Sequence, residues 1–150
     1  MKVVIDNVRT LLSTISELKY VDENTGQLDN YSPNFPVKWP CALIDIQSDI
    51  YTNKGRNPTK SPVNRQMSNF VLEIRIANLK LTNTSSRAPI TQRDQAESIW
   101  TIIDAVHEKI QGYSPDPTIS SFIRTARNRV MRDDGVQVYV ITYTAENSDC

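Results

Sequence analysis

The chain has 150 residues, and its 17 Lys and Arg balance 17 Asp and Glu, so the formal net charge is zero. Neutrality excludes a bulk electrostatic pull toward nucleic acid or an anionic membrane. The length fits a single domain, residues 1–150, able to bury ~70% of its unfolded surface without metal or disulfide staples. Two cysteines, Cys41 in an apolar run and Cys150 at the last position, make neither a disulfide framework nor a metal-ligand spacing, which fits a reducing compartment. Met1-Lys2-Val3-Val4-Ile5-Asp6 meets a charge too early for the apolar part of a secretion signal, and no run of ~18 apolar residues occurs. Secretion and membrane spanning are therefore not expected.

From Val4 to Lys19 the apolar positions Ile5, Val8, Leu11, Leu12, Ile15 and Leu18 recur at three- and four-residue steps, one stripe of an amphipathic helix. Val21 to Trp39 holds Gly26, Pro33 and Pro36 among Asp, Asn and Ser, and reads as a long connection. A strand is expected from Cys41 through Ile46. Tyr51 to Gln66 carries Lys54, Arg56, Lys60 and Arg65 with Gly55, Pro58, Pro62 and no acid, and reads as a mobile basic loop. Phe70, Leu72, Ile74 and Ile76 alternate with Val71, Glu73, Arg75 and Ala77, which predicts a second strand with one core face.

After a polar break, with residues 82–90 expected to be a mobile loop, Thr91 and Asp94 are placed to cap a helix. Its apolar positions Ala96, Ile99, Ile103, Val106 and Ile110 carry it to a left-handed stop at Gly112. Ile119 to Met131 reads as a third strand, Asp133-Asp134-Gly135 as a hairpin turn and Val136 to Thr144 as a fourth strand. The expected fold is α+β: an antiparallel four-stranded sheet with two helices packed on one face, in the order α-β-β-α-β-β, with a frayed C-terminus. Its edge strands are places where another copy can add.

Little in the chain points to catalysis. The single histidine, His107, falls on the flank of a buried helical stripe, with no strained nucleophile turn to serve. Asp104 and Glu108 lie with Asp94 and Glu97 on what reads as a solvated helix face. The four glycines, at 26, 55, 112 and 135, form no phosphate-binding loop. No catalytic residue, metal ligand or cofactor-binding residue is assigned. Cys41 reads as a small buried hydrophobe, Cys150 as a free thiol and Trp100 as a core residue, whereas Trp39 fits either the core or an exposed anchor. Besides Lys54, Arg56, Lys60 and Arg65, a second basic group is Arg124, Arg127, Arg129 and Arg132. Strict alternation puts Arg124 on one strand face and Arg127 and Arg129 on the other, so no single stripe is expected.

The elements taken together resemble a known family. A short N-terminal helix, Val8 to Lys19, is followed by the polar turn Asp22 to Leu28 and an aromatic-proline entry, Phe35-Pro36-Val37-Lys38-Trp39-Pro40, into Cys41-Ala42-Leu43-Ile44-Asp45-Ile46. Then come a long loop, Phe70 to Ile76, the Arg93-to-Ile110 helix, the Gly112 loop and a final strand closing on the acidic tail Glu146 to Asp149. This pattern resembles the tail terminator and tail completion proteins of tailed bacteriophages, the lambda-type family also found in prophages.

The resemblance implies a non-enzymatic structural protein that caps the tail tube as a homo-oligomeric ring, commonly of six copies, stops tail polymerisation and offers a surface for head joining. Implied partners are further copies of itself, the tail-tube protein and a head-tail connector protein, with DNA passing transiently through the ring and no membrane partner. The implied location is the bacterial host cytoplasm during assembly and then the virion tail. On this reading Lys54, Arg56, Lys60 and Arg65 are expected to face the tube or the lumen. The competing expectation is a small α+β module that recognises a peptide or RNA through its basic loop; it stays monomeric and binds nucleic acid in a salt-dependent way.

Overall fold

The computed structural model describes residues 1–29, 36–79, 85, 87 and 90–150, with backbone alone for 91–97. Helix α1 spans Lys2–Leu12 and buries Val4, Ile5, Val8 and Leu12. It stops well short of Lys19, although the apolar rhythm continues. The hydroxyls of Ser13 and Thr14 bond the carbonyls of Arg9 and Leu11, side-chain competition of the kind that ends helices. Ile15 and Leu18 are still buried, but from a turn.

The sheet corrects the expected architecture. It has five strands, not four, and it is mixed rather than antiparallel: β1 Tyr20–Glu23, β2 Cys41–Arg56, β3 Asn64–Leu79, β4 Ile123–Val130 and β5 Val136–Asn147, in the order β1-β2-β3-β5-β4. The extra strand β1 lies inside the stretch expected to be a connection and pairs parallel to β2, Tyr20 with Cys41 through Glu23 with Ile44. Four residues are too few to show an alternation, so the strand exists by virtue of its neighbour. The remaining pairs are antiparallel.

The second correction concerns residues 51–66. The expected basic loop is the far half of a long β2–β3 hairpin paired down to Arg56 and Asn64, and only residues 57–63 form its turn. The Asn57 amide donates to the Val63 carbonyl at 2.8 Å and the Asn57 side chain accepts from Thr59. Both faces of this ribbon are wet, so its sequence lacks the apolar alternation that marks a half-buried strand. Gly55, at φ +117, sits at a bulge between Asn53 and Gly55.

Helix α2, Ile90–Ile110, ends as expected before Gly112, whose φ is +79 and whose amide bonds the Phe122 carbonyl. It begins at Ile90, one residue before the expected cap; the side chains of Thr91, Asp94, Ala96 and Glu97 lie outside the described residues, as does most of the 82–90 loop. Strand β4 starts at Ile123, later than expected, with Ile119 reduced to a single bridge to Asn147. Strand β5 runs on past Thr144 to Asn147, and the C-terminal segment is fixed to the hairpin by a reciprocal backbone pair between Gln66 and Cys150.

Both helices pack on one face of the sheet. The main core gathers Val4, Val8 and Leu12 of α1, Ile99, Ile103 and Val106 of α2, and the inward rows Ala42-Ile44, Phe70-Leu72-Ile74-Ile76 and Tyr139-Ile141-Tyr143. A second, smaller cluster on the other face holds Leu28, Cys41, Leu43, Ala77, Val136, Val138 and Val140, with Val37 and the half-buried Trp39 packed against it. This second cluster explains why strand β2 opens with an unbroken apolar run, since Cys41 to Ile44 are covered on both faces.

Candidate functional site

Three features of the described surface carry unusual chemistry: the basic end of the hairpin, an arginine row on β4 and the uncovered edge of β2. Lys54, Arg56, Lys60 and Arg65 do gather at the end of the hairpin, and three of them are bound to the C-terminal segment. Arg65 Nε donates to Asp149 Oδ1 at 2.8 Å, Lys60 Nζ lies 3.4 Å from Asp149 Oδ2, and Lys54 donates to the Ser148 carbonyl. Arg56 alone of the four makes no such contact, and it lines an open depression of about 240 Å³ with Lys54, Gly55, Asn57, Arg65 and Asp149. The cluster was legible as a run of bases; its acidic partner, 84 positions away, was not.

The hydrogen bond from Arg65 holds the Asp149 carboxyl below its usual range, against the opposing effect of burial. A carboxyl with a depressed folded-state pKa contributes stability above its unfolded value, near ~4, and loses that contribution as the pH falls through the folded value. Acid is therefore expected to open the brace. The protection of the Gln66 amide, which donates to the Cys150 carbonyl at 2.9 Å, measured against its intrinsic exchange rate at each pH, should fall below about pH 4 in the wild-type chain. In Asp149→Asn that protection should already be low at neutral pH. Equal exchange in the two chains at neutral pH would show that the ion pair does not hold the segment.

The second basic group departs from strict alternation. A bulge between Arg124 and Ala126 resets the register, so that Arg124 faces Tyr143, Arg127 faces Ile141 and Arg129 faces Tyr139. Residues directly opposite one another share a face, and Tyr139, Ile141 and Tyr143 all belong to the helical face. The three arginines therefore form one row on that face, all exposed. Arg127 stacks over Trp100 at 5.1 Å and Arg129 over Tyr139 at 6.0 Å. Trp100, expected in the core, is 40% exposed and lies against Tyr139 with ring centroids 4.7 Å apart. Arg132 stands apart, turned to Asp134.

His107 is half-buried with Nδ1 3.3 Å from the Tyr143 hydroxyl. Burial, followed by the charge of Arg124, pushes its pKa down, and burial raises Tyr143 to about 12. Among the described residues neither is hydrogen-bonded to a carboxylate or to an activated nucleophile that would make it an acid-base pair. Asp104 and Glu108 are exposed on α2. Cys41 is fully buried, its thiol raised to about 12 by burial, which removes thiolate chemistry there at neutral pH.

On the opposite side of the sheet β1 covers β2 only as far as Ile44, so β2 from Asp45 to Arg56 has no neighbour on its outer side among the described residues. An open cleft of about 450 Å³ borders this edge, lined by Lys2, Asp6 and Arg9 of α1, Glu23 of β1, and Asp45 and Ile46 of β2. Arg9 is shared between Asp6 and Asp22, 3.3 Å from each. Asp49, further along the same edge, accepts the Tyr51 hydroxyl on Oδ2, and its buried Oδ1 has no hydrogen-bond partner.

Among the described residues no group of His, Cys, Asp and Glu is arranged to hold a metal ion, and no helix is long and apolar enough to cross a membrane. No protein-family model matches the chain, and no curated protein matches it. Among solved structures it is similar to a chain from the virion of a native gene transfer agent particle, at 9% identity and a TM-score of 0.42, over 93% of this chain and 82% of that one.

Proposed function

We propose that the chain is a non-enzymatic structural protein of a tailed bacteriophage or prophage, which closes into a ring, caps the tail tube, stops its polymerisation and presents the head-joining surface. The reading rests on the resemblance carried by the elements named above. The observation that carries it furthest is the sheet itself, which among the described residues has no neighbour along two unlike edges, β4 on one side and Asp45–Arg56 of β2 on the other. A molecule with two different free edges adds to copies of itself head to tail, and such heterologous contacts close into rings when the rotation permits, six copies being the count the family suggests. Tail-tube protein and a head-tail connector are the proposed partners, met in the host cytoplasm during assembly and retained in the virion tail.

Lys54, Arg56, Lys60 and Arg65 are proposed to face the tube or the lumen through which DNA passes. Lys60 and Arg65 are held to Asp149 and Lys54 to the Ser148 carbonyl, so Arg56 is the one of the four that makes no contact with the C-terminal segment and is placed to reach a partner. The test is polymerisation of tail-tube protein in the presence of the purified chain. A substoichiometric amount should arrest growth at the tube end, and Arg56→Glu should weaken the arrest without loosening the brace. Tubes that lengthen at the same rate with and without the chain would contradict the reading.

A further inference from the structure

We infer that the partner of the β4 edge is a second copy of this chain, engaged through the uncovered edge of its β2 strand, with Arg124, Arg127 and Arg129 set against Asp49 and Glu23. The inference rests on the ring reading and adds the surface and the residues. Four observations converge on it. First, the strand directions fit. Strand β2 is antiparallel to β3, β3 to β5 and β5 to β4, so β2 and β4 run in opposite directions. Two copies in the same orientation therefore meet as an antiparallel pair, the geometry that unpaired edge amides and carbonyls favour.

Second, the faces coincide. In that side-by-side placement the helical face of one copy continues into the helical face of the next, and the charged groups in question all lie on it. The three arginines stand opposite Tyr143, Ile141 and Tyr139, Asp49 is opposite Phe70, and Glu23 is opposite Ile44. Third, the charges are complementary and unspent. Among the described residues, the arginines, Asp49 and Glu23 make no ion pair within 4 Å inside the chain. Counted over the described residues, a basic row on one edge and carboxylates on the other are thus without an ion-pair partner in the chain. Fourth, Asp49 Oδ1 is buried without a hydrogen-bond partner. An acceptor that neither water nor the chain satisfies is costly, so the Asp49 side chain gains by turning outward to a donor brought to the edge, and arginine is the residue whose fork of N–H groups best meets a carboxylate.

The levels along the strands are also close. Through β5 and β3, Arg124 stands level with Ile46, and Asp49 is the next residue of that face beyond the bulge at residues 46–48. A shift of one pleat sets Arg124 against Asp49. Arg127 and Arg129 are stacked on Trp100 of α2 and Tyr139 of β5, on the inner side of β4, which leaves Arg124 as the arginine best placed to reach across the edge.

The test uses two charge-reversed full-length chains. One carries Arg124→Glu, Arg127→Glu and Arg129→Glu; the other carries Asp49→Lys and Glu23→Lys. Each retains one native edge, and reversal turns attraction into repulsion, so self-association measured by sedimentation should weaken on the order of a hundredfold in each alone. In a 1:1 mixture the acidic β4 edge of one meets the basic β2 edge of the other, and assembly should return. A single chain carrying all five changes should also assemble. Thermal unfolding of each variant confirms that the fold is retained. If the wild-type chain assembles and the reversed chains assemble equally well, the edge pairing is wrong while the ring reading stands. If the mixture and the five-fold variant both stay monomeric while the folds are intact, the pairing is again wrong. A wild-type chain that never associates overturns both.

Discussion

Replacing Phe70 with alanine is expected to destabilise the protein by about 3–5 kcal/mol, the usual range for removing a buried aromatic ring. Phe70 is 1% exposed and meets Phe122 edge to face, with centroids 6.0 Å apart and planes at 89°. Phe122 anchors the segment leading from α2 into β4 and is itself fully buried, and its carbonyl receives the Gly112 amide. On the neighbouring strands Phe70 lies opposite Asp49 and Ala145. Neither is an apolar side chain long enough to collapse into the vacated space, so the cavity term adds to the lost transfer energy. For a chain of this size such a loss corresponds to a fall in melting temperature of roughly 10 °C. Ile50, on the same hairpin but 68% exposed, supplies the control: Ile50→Ala should lie within about 0.5 kcal/mol of wild type. A Phe70→Ala chain that melts within a degree or two of wild type would show that the β3 row is not the centre of the core.

The second large effect is expected at Arg132. Its guanidinium donates to both carboxylate oxygens of Asp134, with contacts of 2.6 and 3.1 Å, and also to the Leu28 carbonyl. The bonds tie the β4–β5 turn to the 3-10 turn at Gln27–Asp29, across the smaller core cluster. The two side chains are 9% and 14% exposed. Arg132→Ala leaves a largely covered carboxylate without its main donor and should cost about 2–3 kcal/mol. Arg132→Lys should recover only part of the loss, because a single ammonium cannot reproduce the fork.

The hydrogen bond from Arg132 holds the Asp134 carboxyl below its usual value, against the opposing effect of burial. Its contribution is therefore complete above about pH 4 and fades as the pH falls through the depressed value. Urea unfolding of Arg132→Ala should accordingly show a shallower loss of stability below pH 4 than the wild type. Parallel acid limbs in the two chains would remove Asp134 from the account.

What the sequence revealed and what it hid follow from burial. Strand β5, the Phe70–Ile76 row of β3 and helix α2 up to Ile110 were readable because one face of each is covered and the apolar residues mark the period. The hairpin beyond Asp49 was not, since both its faces are wet and nothing in Tyr51–Gln66 alternates. Strand β1 was hidden for a different reason: Tyr20–Glu23 is a strand only because β2 lies beside it. Helix α1 was over-extended because Ile15 and Leu18 keep the helical spacing while being buried from a turn.

The candidate site shows the same division. Lys54, Arg56, Lys60 and Arg65 were visible as an acid-free cluster, but their attachment to Ser148 and Asp149 depends on contacts distant in sequence. The arginine row was hidden by one residue: Thr125, the extra residue of the β4 bulge, places Arg124 on the same face as Arg127 and Arg129. A bulge of that kind leaves no mark in composition or period.

The central claim is that this fold assembles through its own unlike edges. The most direct measurement is the solution mass by light scattering over a concentration series, at low and moderate salt, with and without tail-tube protein. The account predicts a mass that rises with concentration to one closed oligomer, weaker at higher salt because opposite charges meet at the junction. A strict monomer at every concentration, in both salts and in the presence of tube protein, would contradict it.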